Sequence, residues 1–468
     1  MTKSASYRNQ ARIFGVILAT LTLLLSRFIT LGGVTDKAAY TLGVLLATLC
    51  LLIFESFNVC VTCMLSCSLL YALGCVDTIS GAFSGFSNHV LYFTTASFGL
   101  SYVFQKSALS NRLLSFLVGK KRLSTGKVTF LFMVCGAILS SIMSNVAAVV
   151  IFIPYVETYL SFYNDEEARK ITKRSMMICL TVAVLIGGMM TPAGSSMNLI
   201  CLDMLQRYAG TTVRFIDWMK IGCPLACLML VIAYLIIAAV YRREELSDEE
   251  YRTWQGVLHG GASLTGQDIY IGIVIACVVC AWIASSWIPS INITVTAIVG
   301  LTAMFLPGRS VMTWEEFAFS VSWPTFFIAG NLISVASAVT ETGLCAAFAN
   351  QLLYHGQMSS EFSMVMAIAL ITFFIMALLP SAPAVITILS PIIIEYARQA
   401  GANPVMLVMT CALCVSNIYL FPLDAPLVVA YDRKAFTMFE LPRATIWIQL
   451  STILVVSVWI PFIFGIIA

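Results

Sequence analysis

Two short stretches of the chain place oxygen-bearing side chains beside residues that break helices. One reads Ser144-Asn145-Val146-Ala147-Ala148, the other Thr191-Pro192-Ala193-Gly194-Ser195-Ser196-Met197-Asn198. Proline removes a backbone donor and disturbs the carbonyl four residues earlier. Glycine lets the backbone approach a ligand closely. Freed carbonyls together with Ser, Thr and Asn oxygens make a cage suited to Na⁺, and the N-termini of half-helices turn partial positive charge toward an anion. Ser144, Asn145, Thr191, Ser195 and Asn198 are therefore candidates for holding a small anion beside a cation. The plainer reading is a kink whose polar groups bond back to their own helix.

A second pair of stretches lies further on and is less polar. Pro380-Ser381-Ala382-Pro383-Ala384 has lost its asparagine. The other runs from Ser416-Asn417 through Pro422-Leu423-Asp424-Ala425-Pro426. Ser381 corresponds to Ser144 and Ala425 to Thr191. Asp424 is the one acid that stands out in the interrupted segments, and an ionisable group at mid-membrane is a functional candidate by default. Asp424 is expected to tie anion movement to a cation or proton; capping a half-helix, or pairing with Arg433, is the alternative.

The elements that must position these groups follow from composition. The chain has 468 residues, of which 60% are hydrophobic and 10% charged. Soluble domains run at roughly 45–50% and about 25%, which excludes an ordinary soluble enzyme. With 26 Lys+Arg against 23 Asp+Glu no basic face exists for nucleic acid. Spanning a bilayer takes about 20 apolar residues, and the run from 11 to 31 reads as a retained first helix rather than a signal peptide. Further apolar runs cover roughly 38–54, 58–76, 90–105, 219–241, 268–287, 291–306, 323–340 and 443–466. The segments 128–160, 175–208, 362–397 and 404–431 are apolar but interrupted, which at membrane depth is tolerated only where the broken backbone is buried or lines a cavity.

Basic residues set the expected orientation. With a cytoplasmic N-terminus, and with 128–160 and 362–397 as re-entrant hairpins, the Lys and Arg clusters at 106–127, 169–174, 242–252 and 433–443 share one side. Lys37, Arg207, Arg214, Lys220 and Arg398 remain on the other. The two halves also read alike: Ser144 and Ser381 lie 237 positions apart, Thr191 and Ala425 234 apart. Each unit makes five crossings, so the copies run in opposite directions. The expected fold is an all-α polytopic membrane protein with about eleven transmembrane helices in two inverted five-helix repeats, each with a re-entrant hairpin and a broken helix. Its parts are an extra N-terminal helix over 1–37, a first repeat over 38–241, a polar cytoplasmic linker over 242–267 and a second repeat over 268–468. Inverted repeats with interrupted helices in matching places mark a secondary transporter with its site at the midplane.

At these residues the sequence resembles the divalent anion:sodium symporter family, over nearly the whole chain from about residue 38. Ser144-Asn145-Val146 is similar to the family's first Ser-Asn-Thr tip, and Thr191-Pro192-Ala193-Gly194 with Asn198 to its first break. Ser381-Ala382-Pro383 and Pro422-Leu423-Asp424-Ala425-Pro426 are departures from the second pair. The resemblance implies transport of dicarboxylate, citrate or sulfate by coupling to Na⁺ or by exchange, a homodimer, and a transport domain that moves like an elevator in the cell membrane. It implies a first Na⁺ site at Ser144, Asn145 and Gly194 and substrate contacts at Asn145, helped by Ser144 and Ser381. Ser381 and Asp424 are what remains for a second cation, since Ala382 and Pro383 supply no side-chain oxygen.

Other chemistry is poorly served. The Cys-x-x-Cys pairs Cys60/Cys63, Cys277/Cys280 and Cys411/Cys414 lie in apolar runs and read as small packing residues. His89, His259 and His355 are too scattered for a metal site or a triad, so neither an enzyme nor a cofactor is expected. A channel would show rings of charge or carbonyls, and a single acid makes none.

Overall fold

The computed structural model describes residues 2–28, 36–119, 121–260, 264–288, 290–344, 360–378, 382–420, 424–438 and 440–467. Among the described residues every regular element is helical. In chain order they are α1 (Thr2–Ser26), α2 (Asp36–Ile53), α3 (Val59–Ala72), α4 (Ile79–Ala82), α5 (His89–Lys106), α6 (Leu109–Val118), α7 (Thr125–Ser140) and α8 (Asn145–Ser161). Then come α9 (Glu166–Gly188), α10 (Ser196–Met204), α11 (Phe215–Val240), α12 (Asp248–His259), α13 (Gly266–Ala284), α14 (Ile293–Ala303) and α15 (Trp314–Ser320). The remainder are α16 (Trp323–Glu341), α17 (Glu361–Leu378), α18 (Ala382–Ala400), α19 (Pro404–Val415), α20 (Ala425–Asp432) and α21 (Pro442–Ile467). Six of these are long and apolar enough to cross a membrane: α2, α9, α11, α13, α16 and α21. The shorter apolar helices include α7 and α8, the two pieces into which the interrupted segment 128–160 divides.

The chain forms two compact units, each assembled from distant parts of the sequence. One comprises residues 1–94, 200–212 and 322–415. In it α1 lies along α2, α3 packs on α2, and α16 packs on both α2 and α3. Val44, Leu45, Leu49, Leu70, Leu332, Val335 and Val339 share one buried cluster. A 3₁₀ turn over Ser84–Ser87 crosses α16. Gly85 donates its N–H to Ser334 Oγ at 2.9 Å. A Cβ there would lie 2.7 Å from the Ser334 nitrogen, so this crossing requires glycine. Further along, α18 packs on α16 and α19, and α17 on α19.

The other unit comprises residues 95–199, 213–321 and 416–468. Its centre is α9, in which every residue from Ser175 to Gly188 is buried. A helix apolar on all sides is stable only when surrounded, and α7, α8, α11 and α20 pack on it. The segment 128–160 doubles back instead of running straight. Thr125 Oγ1 lies 2.9 Å from Tyr159 Oη, the Phe132 and Phe152 rings meet at 6.5 Å, and Ser140 Oγ donates to Asn145 Oδ1 at 2.5 Å. These pairs are nested around residue 142, the signature of an antiparallel helical hairpin.

The polar linker is ordered on the base of that hairpin. A capping box at Ser247 starts α12, and the Ser247 backbone N–H holds the Glu250 carboxyl below the usual carboxylate range. Tyr251 and Trp254 are buried, Trp254 edge-on to Tyr159 at 4.8 Å. Glu245 accepts from the Thr125 N–H at 2.8 Å and the Glu244 carbonyl from Tyr163 Oη at 2.6 Å. The open end of the hairpin is therefore closed by residues about 80–120 positions away.

The cysteines of the three Cys-x-x-Cys pairs are free thiols. Cys63, Cys411 and Cys414 are buried as expected of packing residues. Cys277 and Cys280 are exposed, because α13 is only 22% buried and turns an apolar face outward.

Candidate functional site

The hairpin tip and the first break form one constellation in the second unit. Ser144 occupies the N-cap position of α8 without a side-chain cap bond, and its N–H reaches Ser101 Oγ of α5 at 3.4 Å. Asn145 opens α8 and lies against α9. A Cβ on Gly188 would fall 2.7 Å from Asn145 Oδ1, so the asparagine occupies room that only glycine leaves. Gly194 is placed by the same logic, since a Cβ there would fall 2.7 Å from the Gly188 carbonyl oxygen and 3.0 Å from that of Ser140. The Ser140 and Gly188 carbonyls thus meet at Gly194, and Asn145 Oδ1 with Ser140 Oγ meets α9 one step away at Gly188.

Local bonds hold the break open. Thr191 Oγ1 donates to the Ser141 carbonyl and accepts from the Gly194 N–H at 3.1 Å. The threonine therefore caps the 3₁₀ turn Pro192–Gly194 and fastens it to the hairpin. Asn198 is wholly buried. Its Nδ2 donates to the Gly188 and Thr191 carbonyls, each at 2.8 Å, and so bridges both sides of the break. The other end of the same amide, Oδ1, is buried with no hydrogen-bond partner. An unsatisfied buried acceptor costs about 1–3 kcal/mol, and a bound cation or water relieves that cost. Oxygens in this number, with no acid or thiolate among them, match a weakly held hard cation. Among the described residues no group of three or more His, Cys, Asp or Glu could hold a metal ion.

The first break also meets the second. Ser195 Oγ accepts from the Met197 N–H at 3.3 Å, capping α10, and lies 3.5 Å from Ser416 Oγ. Asn417 and Tyr419 are fully buried; Tyr419 Oη donates to Asn417 Oδ1 at 2.6 Å, and the Tyr419 N–H to Gln449 Oε1 of α21 at 3.3 Å. Asp424 is half-buried. Its carbonyl accepts from the N–H groups of Leu427 and Val428, which makes it the N-cap of α20, a half-helix packed on α8 and α9. Arg433 lies 3.8 Å from Glu157.

Of the candidate residues, Ser144, Asn145, Thr191, Gly194, Ser195 and Asn198 come together in one place. Ser381 lies outside the described residues, and Ala425 heads α20 with its side chain outside them too. Ser140, Ser141, Gly188 and Ser416 belong to the constellation and were not assigned from sequence. The Gly187-Gly188 pair closing an apolar helix was the available signal. The expectation of a single notable acid in the interrupted segments is corrected by Asp203 of α10, which is 4% exposed. Its Arg207 partner one helical turn on was visible in the sequence.

A family profile described as "sodium:sulfate symporter transmembrane region" matches residues 10–466. Among curated relatives, the sodium-dependent dicarboxylate transporter SdcS of Staphylococcus saprophyticus is 22% identical, covering 96% of this chain and 90% of its own. The SdcS of Staphylococcus aureus is 23% identical over 98% and 93%. Among solved structures, the Alcanivorax borkumensis YdaH transporter aligns with a TM-score of 0.58 at 14% identity, covering 97% of this chain and 98% of that one. Neisseria gonorrhoeae MtrF, described as an antimetabolite efflux pump, aligns at 0.57 and 12% over 96% and 94%. At such identities these two structures speak for the fold alone. The profile spans essentially the whole chain, and the protein belongs to the sodium:sulfate symporter transmembrane family, a family of transporters and not of enzymes.

Proposed function

We propose that the protein is a secondary active transporter that moves a small di- or tricarboxylate across the cell membrane together with Na⁺. The observation that carries this reading is the buried, unpartnered Asn198 Oδ1, on an amide bonded to the same Gly188 carbonyl that approaches Gly194 with that of Ser140. The Na⁺ is cargo: it binds at Ser144, Asn145 and Gly194, with Ser140 and the Gly188 carbonyl added to that set. The anion binds at the N-terminus of α8, against Asn145, Ser144, Thr191 and Ser195, with Asp424 at the head of α20, which packs on α8; Ser381 and Ala425 remain candidates from the sequence alone. Sharing one loop pair, each ion makes the other's binding more favourable, which is the physical basis of coupling. The names of the SdcS relatives favour a dicarboxylate over sulfate.

The accompanying architecture is an N-terminal helix over 1–37, inverted repeats over 38–241 and 268–468 joined by the linker 242–267, a cytoplasmic N-terminus, a homodimer, and elevator movement of the site. The nested hairpin contacts of α7 and α8 and the matched landmarks of the two halves support it. A second reading, proton coupling or dicarboxylate exchange through Asp424, is favoured by a carboxylate standing half-buried in the second break. Uptake of labelled dicarboxylate and of sulfate into proteoliposomes, with Na⁺ and pH gradients imposed separately, tests both. Dicarboxylate uptake driven by inward Na⁺ is the expected result. Uptake driven by a proton gradient without Na⁺, or by internal dicarboxylate alone, overturns Na⁺ coupling in favour of the second reading.

A further inference from the structure

The first unit holds a buried charge cluster that the transport site does not use. Asp203, on the last turn of α10, is 4% exposed and Asn88 is 1% exposed. Asn88 Nδ2 donates to Asp203 Oδ2 at 2.8 Å, while Asn88 Oδ1 accepts from the Val90 N–H at 2.8 Å and caps α5. Arg207 Nε lies 3.0 Å from Asp203 Oδ1 and 2.9 Å from Oδ2. His89 Nδ1 lies 3.9 Å from Oδ1, its ring half-exposed. Directly after α10 the chain makes one π turn over Leu205–Ala209, a distortion that concentrates at functional sites. The Tyr208 hydroxyl lies 3.5 Å from Ser337 Oγ of α16, and the Tyr208 carbonyl accepts from Arg398 at the end of α18.

The division of labour among these contacts is informative. Asp203 and Arg207 lie on one continuous helical run and move together, so the carboxylate keeps its counter-charge wherever α10 goes. Leaving a buried charge unpaired is the costly event, and it never occurs here. Among the described residues, the hydrogen bond that joins Asp203 to the head of α5 is charge-assisted and comes from a neutral amide, with the half-exposed His89 ring 3.9 Å away beside it. Such a bond is strong enough to bias an equilibrium and weak enough to break in every cycle. The first turn of α10 carries Asn198, about 7.5 Å along the helix from Asp203 at 1.5 Å per residue.

We propose that Asn88 and Asp203 form a latch that holds α10, and with it the first break, in one state of the transport cycle and opens when the site moves. Asp203 is then a positioning residue for transport. The proposal rests on the alternating-access reading above.

Two substitutions isolate the latch, because Ser, Asp and Asn serve about equally as N-caps. Asn88→Ser keeps the α5 cap and loses the reach to Asp203. Asn88→Asp keeps the cap and sets a like charge against Asp203. In nanodiscs without added substrate, amide hydrogen exchange over 84–90 and 196–209 should rise together, roughly tenfold in Asn88→Ser and further in Asn88→Asp, while 145–161 stays as in the wild type. In proteoliposomes both variants should change maximal uptake severalfold and leave the Na⁺ concentration for half-maximal uptake unaltered. Combining Asn88→Asp with Asp203→Asn rebuilds the bond with its polarity reversed and should restore both readouts. Wild-type exchange in Asn88→Asp overturns the latch. So does raised exchange with wild-type turnover, which marks a static tie. A wild-type protein that carries none of the tested anions counts against the proposed function instead, and the exchange experiment alone then decides the latch.

Discussion

The two breaks are built with different chemistry. The first is held by its own side chains: Thr191 caps the 3₁₀ turn and Asn198 bridges it, which leaves Asn198 Oδ1 facing inward with nothing bonded to it. The second spends its polar groups on itself. Asn417 is taken by Tyr419, Tyr419 by Gln449, and the Asp424 backbone carbonyl by the first N–H groups of α20. On the proposed reading the first break offers neutral oxygens to a ligand, while the second is a braced support with a carboxylate at its edge.

The strongest way to break that contrast is Asn145→Ala. It removes the amide that Ser140 bonds and that the proposed ligands would use, and leaving polar groups unpaired costs about 1–3 kcal/mol each. Uptake should fall by roughly tenfold to a hundredfold or more in well-folded protein; wild-type rates from a well-expressed variant would refute the site. Thr191→Ala should come close to it, because the Ser141 carbonyl and the Gly194 N–H lose their shared partner.

Asp424→Asn is next in size and sharpens the comparison. Asn and Asp cap helices about equally well, so this variant removes charge while keeping the cap. Thermal stability should stay within about 1 kcal/mol, while the Na⁺ or pH dependence of uptake should change. Unaltered dependence on both assigns Asp424 to bracing alone. Tyr419→Phe should have the smallest effect, a loss of about 1 kcal/mol of stability with uptake within threefold. A large uptake loss there would place the second break in the ligand shell after all.

Much of this was legible in the sequence where breakers and oxygens stand side by side. Thr191-Pro192-Ala193-Gly194 announced an interruption, and Ser144-Asn145 with basic residues on both flanks announced a reversal. What stayed hidden depends on approach between elements. Ser140 and Gly188 look like ordinary residues of apolar helices, and become part of the site only because α7 and α8 fold back onto α9. Asp203 could be paired with Arg207 by eye, but its partner Asn88 lies 115 positions away. The linker read as a polar spacer because the residues it grips, from Gly119 to Thr125 and from Tyr159 to Asn164, are contiguous only in space.

The central claim is that neutral oxygens around Gly188 and Gly194 bind Na⁺, and ligand-linked stability tests it without any assumption about the anion. A ligand that binds only the folded state raises stability with its concentration. Purified wild-type protein should melt at progressively higher temperature as NaCl replaces KCl at constant ionic strength. Gly188→Ala, whose methyl group would fall 2.7 Å from Asn145 Oδ1, should melt near the wild type in KCl and lose the response to Na⁺. A wild-type protein indifferent to Na⁺, or a Gly188→Ala variant that responds as fully as the wild type, would contradict the account.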